Sequence, residues 1–281
     1  MLELILEFLK AILFGIVEGV TEWLPVSSTG HIILLDQFVK LNVSKDFYDL
    51  FEIVIQLGAI LAVIVLFFHK LNPFAPSKPK EEKNRTWQLW FKVVVAVIPS
   101  AVLGLLLDDW MDAHLYNYVV VAITLILYGV AFLFMEKKNT TRQMQVKDVH
   151  DIDYRTALLI GAFQCLSLIP GTSRSGSTIL GGILLGVSRP AAAEFSFFLA
   201  IPTMLGASAL KLVKYLLEGM IPSSTEIAVL VTGCVVSFIV SLLVIRALME
   251  YVRKRSFSAF GVYRIVLGAL VIGYFLIKTY V

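Results

Sequence analysis

The sequence predicts an all-α integral membrane protein: six transmembrane helices and two re-entrant helix-loop-helix hairpins, arranged as an inverted-topology repeat. Three observations lead there. The 281 residues are 58% hydrophobic with a mean hydropathy of +0.83, too apolar for a chain whose whole surface meets water. Six apolar runs are long enough to cross a bilayer, and two further apolar stretches are broken in the middle by polar loops.

The six spans lie at about 46–69, 88–107, 116–135, 192–216, 227–248 and 258–280. The broken stretches are 11–40, interrupted from Trp23 to Gly30, and 157–188, interrupted from Pro170 to Ser177. Each half of these is some ten to fifteen residues, about half a bilayer at roughly 1.5 Å per residue, as a re-entrant hairpin requires. The first apolar run has Glu3 and Glu7 ahead of it, no basic flank, and Glu18 and Glu22 where a small-residue cleavage site would stand. No cleavable signal peptide is expected, and the N-terminus should stay. Cys165 and Cys234 fall within apolar segments and suit core packing better than a disulfide framework or a four-ligand metal site. The net charge of +3 comes from loop lysines and arginines and gives no support to a nucleic-acid partner.

Basic residues crowd into three loops, six from Lys70 to Lys92, five from Lys137 to Arg155 and four from Arg246 to Arg255, which are therefore expected on the cytoplasmic side. The acidic segment from Asp108 to His114 is expected outside, as is the segment around Gly219 to Pro222. With six spans, the hairpin at 157–188 then starts and ends inside, and the hairpin at 11–40 dips in from the outside. An internal match supports the same arrangement. A constant shift of 146 residues pairs Ala11 with Ala157, Leu13 with Leu159, Gly15 with Gly161, Ser27 with Ser173, Gly30 with Gly176, Ile33 with Ile179 and Leu34 with Leu180. Glu18 falls opposite Gln164. The chain is thus expected to form a single membrane domain, residues 1–281, from repeats at about 1–145 and 146–281. Each repeat is one hairpin and three spans; three is odd, so the second repeat is inverted and the two loop tips can meet near the midplane.

The tips carry the chemistry. An arginine at bilayer depth is costly and marks a site with a partner. Around Arg174, the residues Gly171, Thr172, Ser173, Ser175 and Gly176 can turn backbone N–H groups and hydroxyls toward an anion at the start of the following helix. Arg174 is the planar clamp of that cradle. The plainer alternative is a helix-breaking loop in which Arg174 neutralises a buried carboxylate. The first tip supplies the complementary groups. Glu18 and Glu22 are four apart, on one helix face, and can hold a divalent cation or orient a base. Ser28 and His31 are three apart across the start of the next half-helix, which suits a hydroxyl nucleophile beside a base. Alone, Gly15 and Gly19 read as a helix-packing pair, and Ser27 as an N-cap. Glu52, Gln56 and Glu194, also at span depth, fit structural pairing better than chemistry, and His69, His114 and His150 carry no usable signal.

The stretches Glu18 to His31 and Pro170 to Gly176 resemble the two signature motifs of the bacterial undecaprenyl-diphosphate phosphatases of the bacitracin-resistance type. Phe51 to Gly58 and Glu194 to Phe197 resemble that family too, so the likeness runs along nearly the whole chain. The resemblance implies hydrolysis of the terminal phosphate of a C55 polyprenyl diphosphate, recycling the lipid carrier of peptidoglycan synthesis and conferring bacitracin resistance. It also implies a site opening to the outer face of the cytoplasmic membrane, a divalent cation, Mg²⁺ or Ca²⁺, and a homodimer. By position, Ser28 would be the nucleophile, with Glu22 and His31 as the base and its orienting partner, in an order left open. Glu18 would assist with metal or base, and Arg174, Ser173, Ser27 and Thr29 would hold the diphosphate. The competing class is a polyprenyl-phosphate flippase or anion transporter, since inverted repeats with a midplane site are a transporter construction. Sequestration of the lipid without chemistry is a more distant alternative. Anion binding alone has no use for Ser28, His31 and paired carboxylates.

Overall fold

The computed structural model describes residues 2–139 and 144–280; Arg142, one of the basic residues counted above, lies outside them. In chain order the helices are α1 Leu2–Thr21, α2 Ser28–Asp36, α3 Lys45–Leu66, α4 Phe68–Leu71, α5 Lys80–Leu115, α6 Tyr118–Asn139, α7 Tyr154–Gln164, α8 Arg174–Leu184, α9 Arg189–Leu217, α10 Ser224–Lys254 and α11 Ser258–Tyr280. Six are long and apolar enough to cross a membrane: α3, α5 over Lys80–Leu107, α6 over Tyr118–Lys138, α9, α10, and α11 over Ser258–Lys278. The protein is an all-helical, multi-pass membrane protein.

Helix ends follow local chemistry more than hydropathy. The second span begins at Lys80, eight residues before the apolar run, because Pro79 pre-sets the turn and Glu81 and Glu82 meet the helix dipole. The fifth span begins at Ser224, where Ser223 and Glu226 close a reciprocal capping box. Both interrupted stretches are indeed broken, between α1 and α2 and between α7 and α8. Their arms differ from the expected half-bilayer lengths in one place. α1 starts at Leu2 and runs 20 residues, since Leu, Ile and Glu continue the helix and Glu3 sits in its first turn. That is about 30 Å of helix, with Glu7 near its start accepting from the Asn42 N–H at 2.9 Å and from Lys10 Nζ at 2.6 Å.

The two halves of the chain interlock. α1 packs on α10, whereas α7 packs on α5; α6 lies against α11, and α3 against both α9 and α10. Gly15 and Gly19 explain the first contact. A Cβ at Gly15 would stand 2.6 Å from the Gly233 carbonyl oxygen, and one at Gly19 would stand 2.8 Å from that of Ser237, so only glycine lets the backbones approach this closely. The largest apolar core lies under the loop tips, with Trp23, Phe195, Phe197, Phe198 and Phe257 fully buried. At one end of the bundle Glu136 bonds the Arg189 guanidinium and the Phe257 N–H, tying α6, α9 and the start of α11. Glu194 is paired with Lys70 at 2.6 Å, the structural role its position suggested. The two cysteines are free and half-buried, each thiol donating to a backbone carbonyl.

Candidate active site

Each loop tip ends in a serine whose backbone few residues accept. Ser27 (φ 73°) and Ser173 (φ 71°) are the only non-glycine residues with positive φ among those described. That strain costs on the order of 1–3 kcal/mol apiece and persists where the surroundings enforce it. Both serines are N-caps: Ser27 Oγ accepts the Gly30 N–H at 3.2 Å, and Ser173 Oγ accepts the Gly176 N–H at 3.1 Å. These pairs are also the ones that the 146-residue shift aligns. The next residue in each case opens a helix, Ser28 for α2 and Arg174 for α8. Two helix N-termini therefore deliver a hydroxyl and a guanidinium to one place.

They meet at Glu22. Its N–H bonds back to the Glu18 carbonyl at 3.0 Å, so the chain keeps a helical turn past Thr21 and both carboxylates share a face. Ser28 Oγ donates to Glu22 Oε2 at 2.6 Å. Arg174 donates to Glu22 Oε1 through Nη2 at 3.1 Å and Nε at 3.3 Å, and its Nη1 donates to the Ser196 carbonyl at 2.7 Å. Arg174 thus does neutralise a buried carboxylate, as the plainer reading supposed, but that carboxylate is the one bonded to the candidate nucleophile. Nη1 also donates to Ser196 Oγ at 3.5 Å, so the guanidinium makes four hydrogen bonds within the protein with its five N–H groups.

His31 is turned away from this cluster. Its Nδ1 donates to the Ser27 carbonyl at 2.7 Å, so in the neutral ring Nε2 is the acceptor, and it takes the Tyr263 hydroxyl at 2.7 Å. The two rings lie parallel, centroids 5.7 Å apart. Both ring nitrogens are occupied, and the side chain that accepts the Ser28 hydrogen bond is Glu22.

Several residues of the expected cradle are committed elsewhere. Thr172 Oγ1 donates to the Leu166 and Ile169 carbonyls within its own loop. Ser175 Oγ donates to the Glu22 and Leu24 carbonyls, tying one tip to the other. Gly171 (φ +88°) lies where a Cβ would stand 2.2 Å from Thr124 Oγ1, and the Gly176 N–H is spent on the Ser173 cap. These four shape the loop. Ser27 is a buried cap, and Ser173 adds a 3.2 Å contact to Ser175 Oγ. Thr29 is half-buried and faces a cavity.

That cavity, about 390 Å³, is lined by Glu18, Thr29, Asp49, Glu52 and Gln56 together with Lys45, Lys211 and Tyr116. Glu18 is only 1% exposed, yet its Oε1 has no hydrogen-bond partner. An orphaned carboxylate oxygen beside hydroxyl, amide and carboxylate oxygens matches the preference of a hard divalent cation. Among the described residues no three carboxylate, imidazole or thiol groups gather tightly enough to hold a metal by themselves, and both Glu22 oxygens are taken.

Sequence reasoning missed Arg264, two turns into the last span. It is fully buried and donates to the Pro25 carbonyl at 3.0 Å through Nη1, and to the Gly171 and Thr172 carbonyls at 2.7 and 3.0 Å through Nη2. Its guanidinium lies 5.3 Å from the Tyr128 ring centroid. The signal was available, since an arginine inside an apolar span is a site marker by the argument applied to Arg174. Tyr263, Ser196 and Trp23, whose ring lies 5.7 Å from the Arg174 guanidinium, had no such mark.

Comparison with known proteins finds relatives along nearly the whole chain. The family model of the bacitracin resistance protein BacA matches residues 11–270. A protein of Enterococcus faecalis named undecaprenyl-diphosphatase is 57% identical over 267 residues, 95% of this chain and 97% of that protein. Proteins of the same name from Streptococcus thermophilus and Lactiplantibacillus plantarum are 57% and 58% identical, over 98% and 96% of this chain and 95% and 98% of theirs.

Proposed function

The chain belongs to the bacitracin resistance protein BacA family, and from that premise we propose that it is an undecaprenyl-diphosphatase, cleaving undecaprenyl diphosphate to undecaprenyl phosphate and inorganic phosphate. The reaction returns the lipid carrier to peptidoglycan synthesis and underlies bacitracin resistance. The observation that carries the chemistry is the 2.6 Å hydrogen bond from Ser28 to Glu22, with Arg174 on the same carboxylate.

The reaction runs in two displacements. Ser28 Oγ attacks the terminal phosphorus, its proton passes to Glu22 Oε2, and the bond to the bridging oxygen breaks to free the polyprenyl monophosphate. Water then attacks the phosphoserine, Glu22 returns its proton to Ser28 Oγ, and orthophosphate leaves with both protons of the water. The Arg174 guanidinium and the N-termini of α2 and α8 meet the charge on the transferring group. His31, held by Tyr263 and Ser27, orients the start of α2. Ser173, Ser27 and Thr29 stand around the head group. Glu18 would hold a divalent cation, Mg²⁺ or Ca²⁺, which when bound would offset diphosphate charge.

The reading extends to placement. The chain lies in the cytoplasmic membrane with its loop tips re-entrant and the Glu18 cavity opening to the outer face, an orientation supported by the three basic loops. The matched geometry of Ser27 and Ser173 supports inverted repeats, and a homodimer is proposed from the family resemblance. A polyprenyl tail stays in lipid at roughly 0.8 kcal/mol per buried CH₂, so the head group must be met at its own depth.

The test is phosphate release from C55 diphosphate by purified protein in detergent with Mg²⁺ or Ca²⁺. Release at enzymatic rates is expected. Binding of a non-hydrolysable polyprenyl diphosphonate without release from the true diphosphate would replace the hydrolase with a flippase or anion transporter.

A further inference from the structure

We infer that Arg264 is the fixed positive charge of the site and makes it prefer a diphosphate head group over a monophosphate one; the inference rests on the phosphatase reading above. A guanidinium at 0% exposure in a membrane-spanning helix is expensive. The usual compensation is a carboxylate, which Arg174 has in Glu22. Arg264 has none: its three hydrogen bonds end on neutral carbonyls, and the face of Tyr128 provides its other contact. Glu18, the other carboxylate of the cluster, lines the cavity. Arg174 is paired with Glu22, whereas Arg264, bonded to both tips, is a buried positive charge with no carboxylate partner of its own.

Its position decides what that charge does. One nitrogen holds the first tip at Pro25, and the other holds the second at Gly171 and Thr172. Arg264 is therefore a positioning residue that registers α2 against α8, and no stated step requires it to touch the phosphorus. A charge this close to both helix N-termini, shielded from water, also acts on whatever anion rests there. The diphosphate substrate carries about one more negative charge than the monophosphate product, the second ionisation of a phosphate lying near pH 6. The fixed charge consequently holds substrate more tightly than lipid product and favours product release. A purely structural staple would weaken both lipids equally.

The experiment measures equilibrium affinity for two non-hydrolysable short-chain probes, a polyprenyl diphosphonate and the matching polyprenyl monophosphonate, in parent protein, Arg264→Gln and Arg264→Lys. The parent is expected to prefer the diphosphonate. Arg264→Gln should cut that ratio on the order of tenfold by losing the charge, while Arg264→Lys should keep most of it despite losing the fork. An unchanged ratio in Arg264→Gln, or a ratio lost in Arg264→Lys, overturns the inference. Should Arg264→Gln not fold, the lysine variant and the parent decide: no diphosphonate preference in the parent is itself a refutation. Phosphate release by the parent is assayed alongside. Release without a ratio change sinks only the role of Arg264, whereas no release sinks the phosphatase reading.

Discussion

Replacing Glu22 with glutamine tests the centre of the arrangement, because the side chain keeps its size and loses both its charge and its ability to take a proton. Arg174 can only donate, so the amide oxygen must face Arg174 Nη2 and Nε, now 3.1 and 3.3 Å from Oε1, and the amide nitrogen must face Ser28. The Ser28 hydroxyl then turns from donor to acceptor and has no base. Loss of a positioned general base is worth about 10²–10⁴ in rate. Removing one partner of a buried ion pair costs about 3–5 kcal/mol when the remaining charge is stranded. Arg174 is not stranded here, since the amide oxygen and the Ser196 carbonyl still accept from it, so a stability loss of about 1–3 kcal/mol is expected. The assay is single-turnover phosphate release from the C55 diphosphate, alongside thermal unfolding in the same detergent. A variant that folds and turns over within about threefold of the parent would refute Glu22 as the base.

Ser28→Ala removes one oxygen and should leave diphosphonate binding intact while phosphate release falls by several orders of magnitude; adding Glu22→Gln should then cost almost nothing more, and additive losses would break up the unit. Arg174→Lys keeps the charge but cannot reach Glu22, Ser196 and a phosphate together, so turnover should drop at least about a hundredfold; near-normal activity would reduce Arg174 to a counter-ion. Ser175→Ala frees two buried carbonyls that join the tips and should cost about 1–3 kcal/mol of stability with little change in diphosphonate affinity; the reverse pattern would return Ser175 to the binding set. For orientation, a cysteine at Asn84 should react with an impermeant thiol reagent only after cells are opened, and one at Ala113 in intact cells; the opposite labelling inverts the proposed topology.

Hydropathy and length located the spans in the sequence because a bilayer imposes one requirement on every crossing segment, some twenty apolar residues, whatever its neighbours. The two breaks were legible for the same reason: hydroxyls, glycines and a guanidinium at Trp23 to Gly30 and Pro170 to Ser177 cannot continue an apolar helix. Their kinship showed in the spacing of Ser27 to Ser173 and Gly30 to Gly176. The extension of α1 to Leu2 was hidden because helix formation there depends on local propensity and the Glu7 contact to Asn42, which hydropathy does not report.

What the tertiary structure alone decided is which polar group spends its hydrogen on which partner. Spacing left open which of Glu22 and His31 stands next to the Ser28 hydroxyl; in the structure Ser28 bonds Glu22, while Tyr263, 232 residues away, occupies one nitrogen of His31, and the other faces the Ser27 carbonyl. Thr172 and Ser175 looked like anion ligands in a hydroxyl-rich loop, but their hydroxyls satisfy carbonyls that the loop geometry leaves unpaired. Arg264 stood as one residue in an apolar run until the fold brought Pro25, Gly171 and Thr172 around it. Composition and periodicity are properties of neighbours along the chain, so they report where helices lie. A buried hydrogen bond is settled by competition among groups that only folding brings within about 3 Å, and no local pattern encodes its outcome.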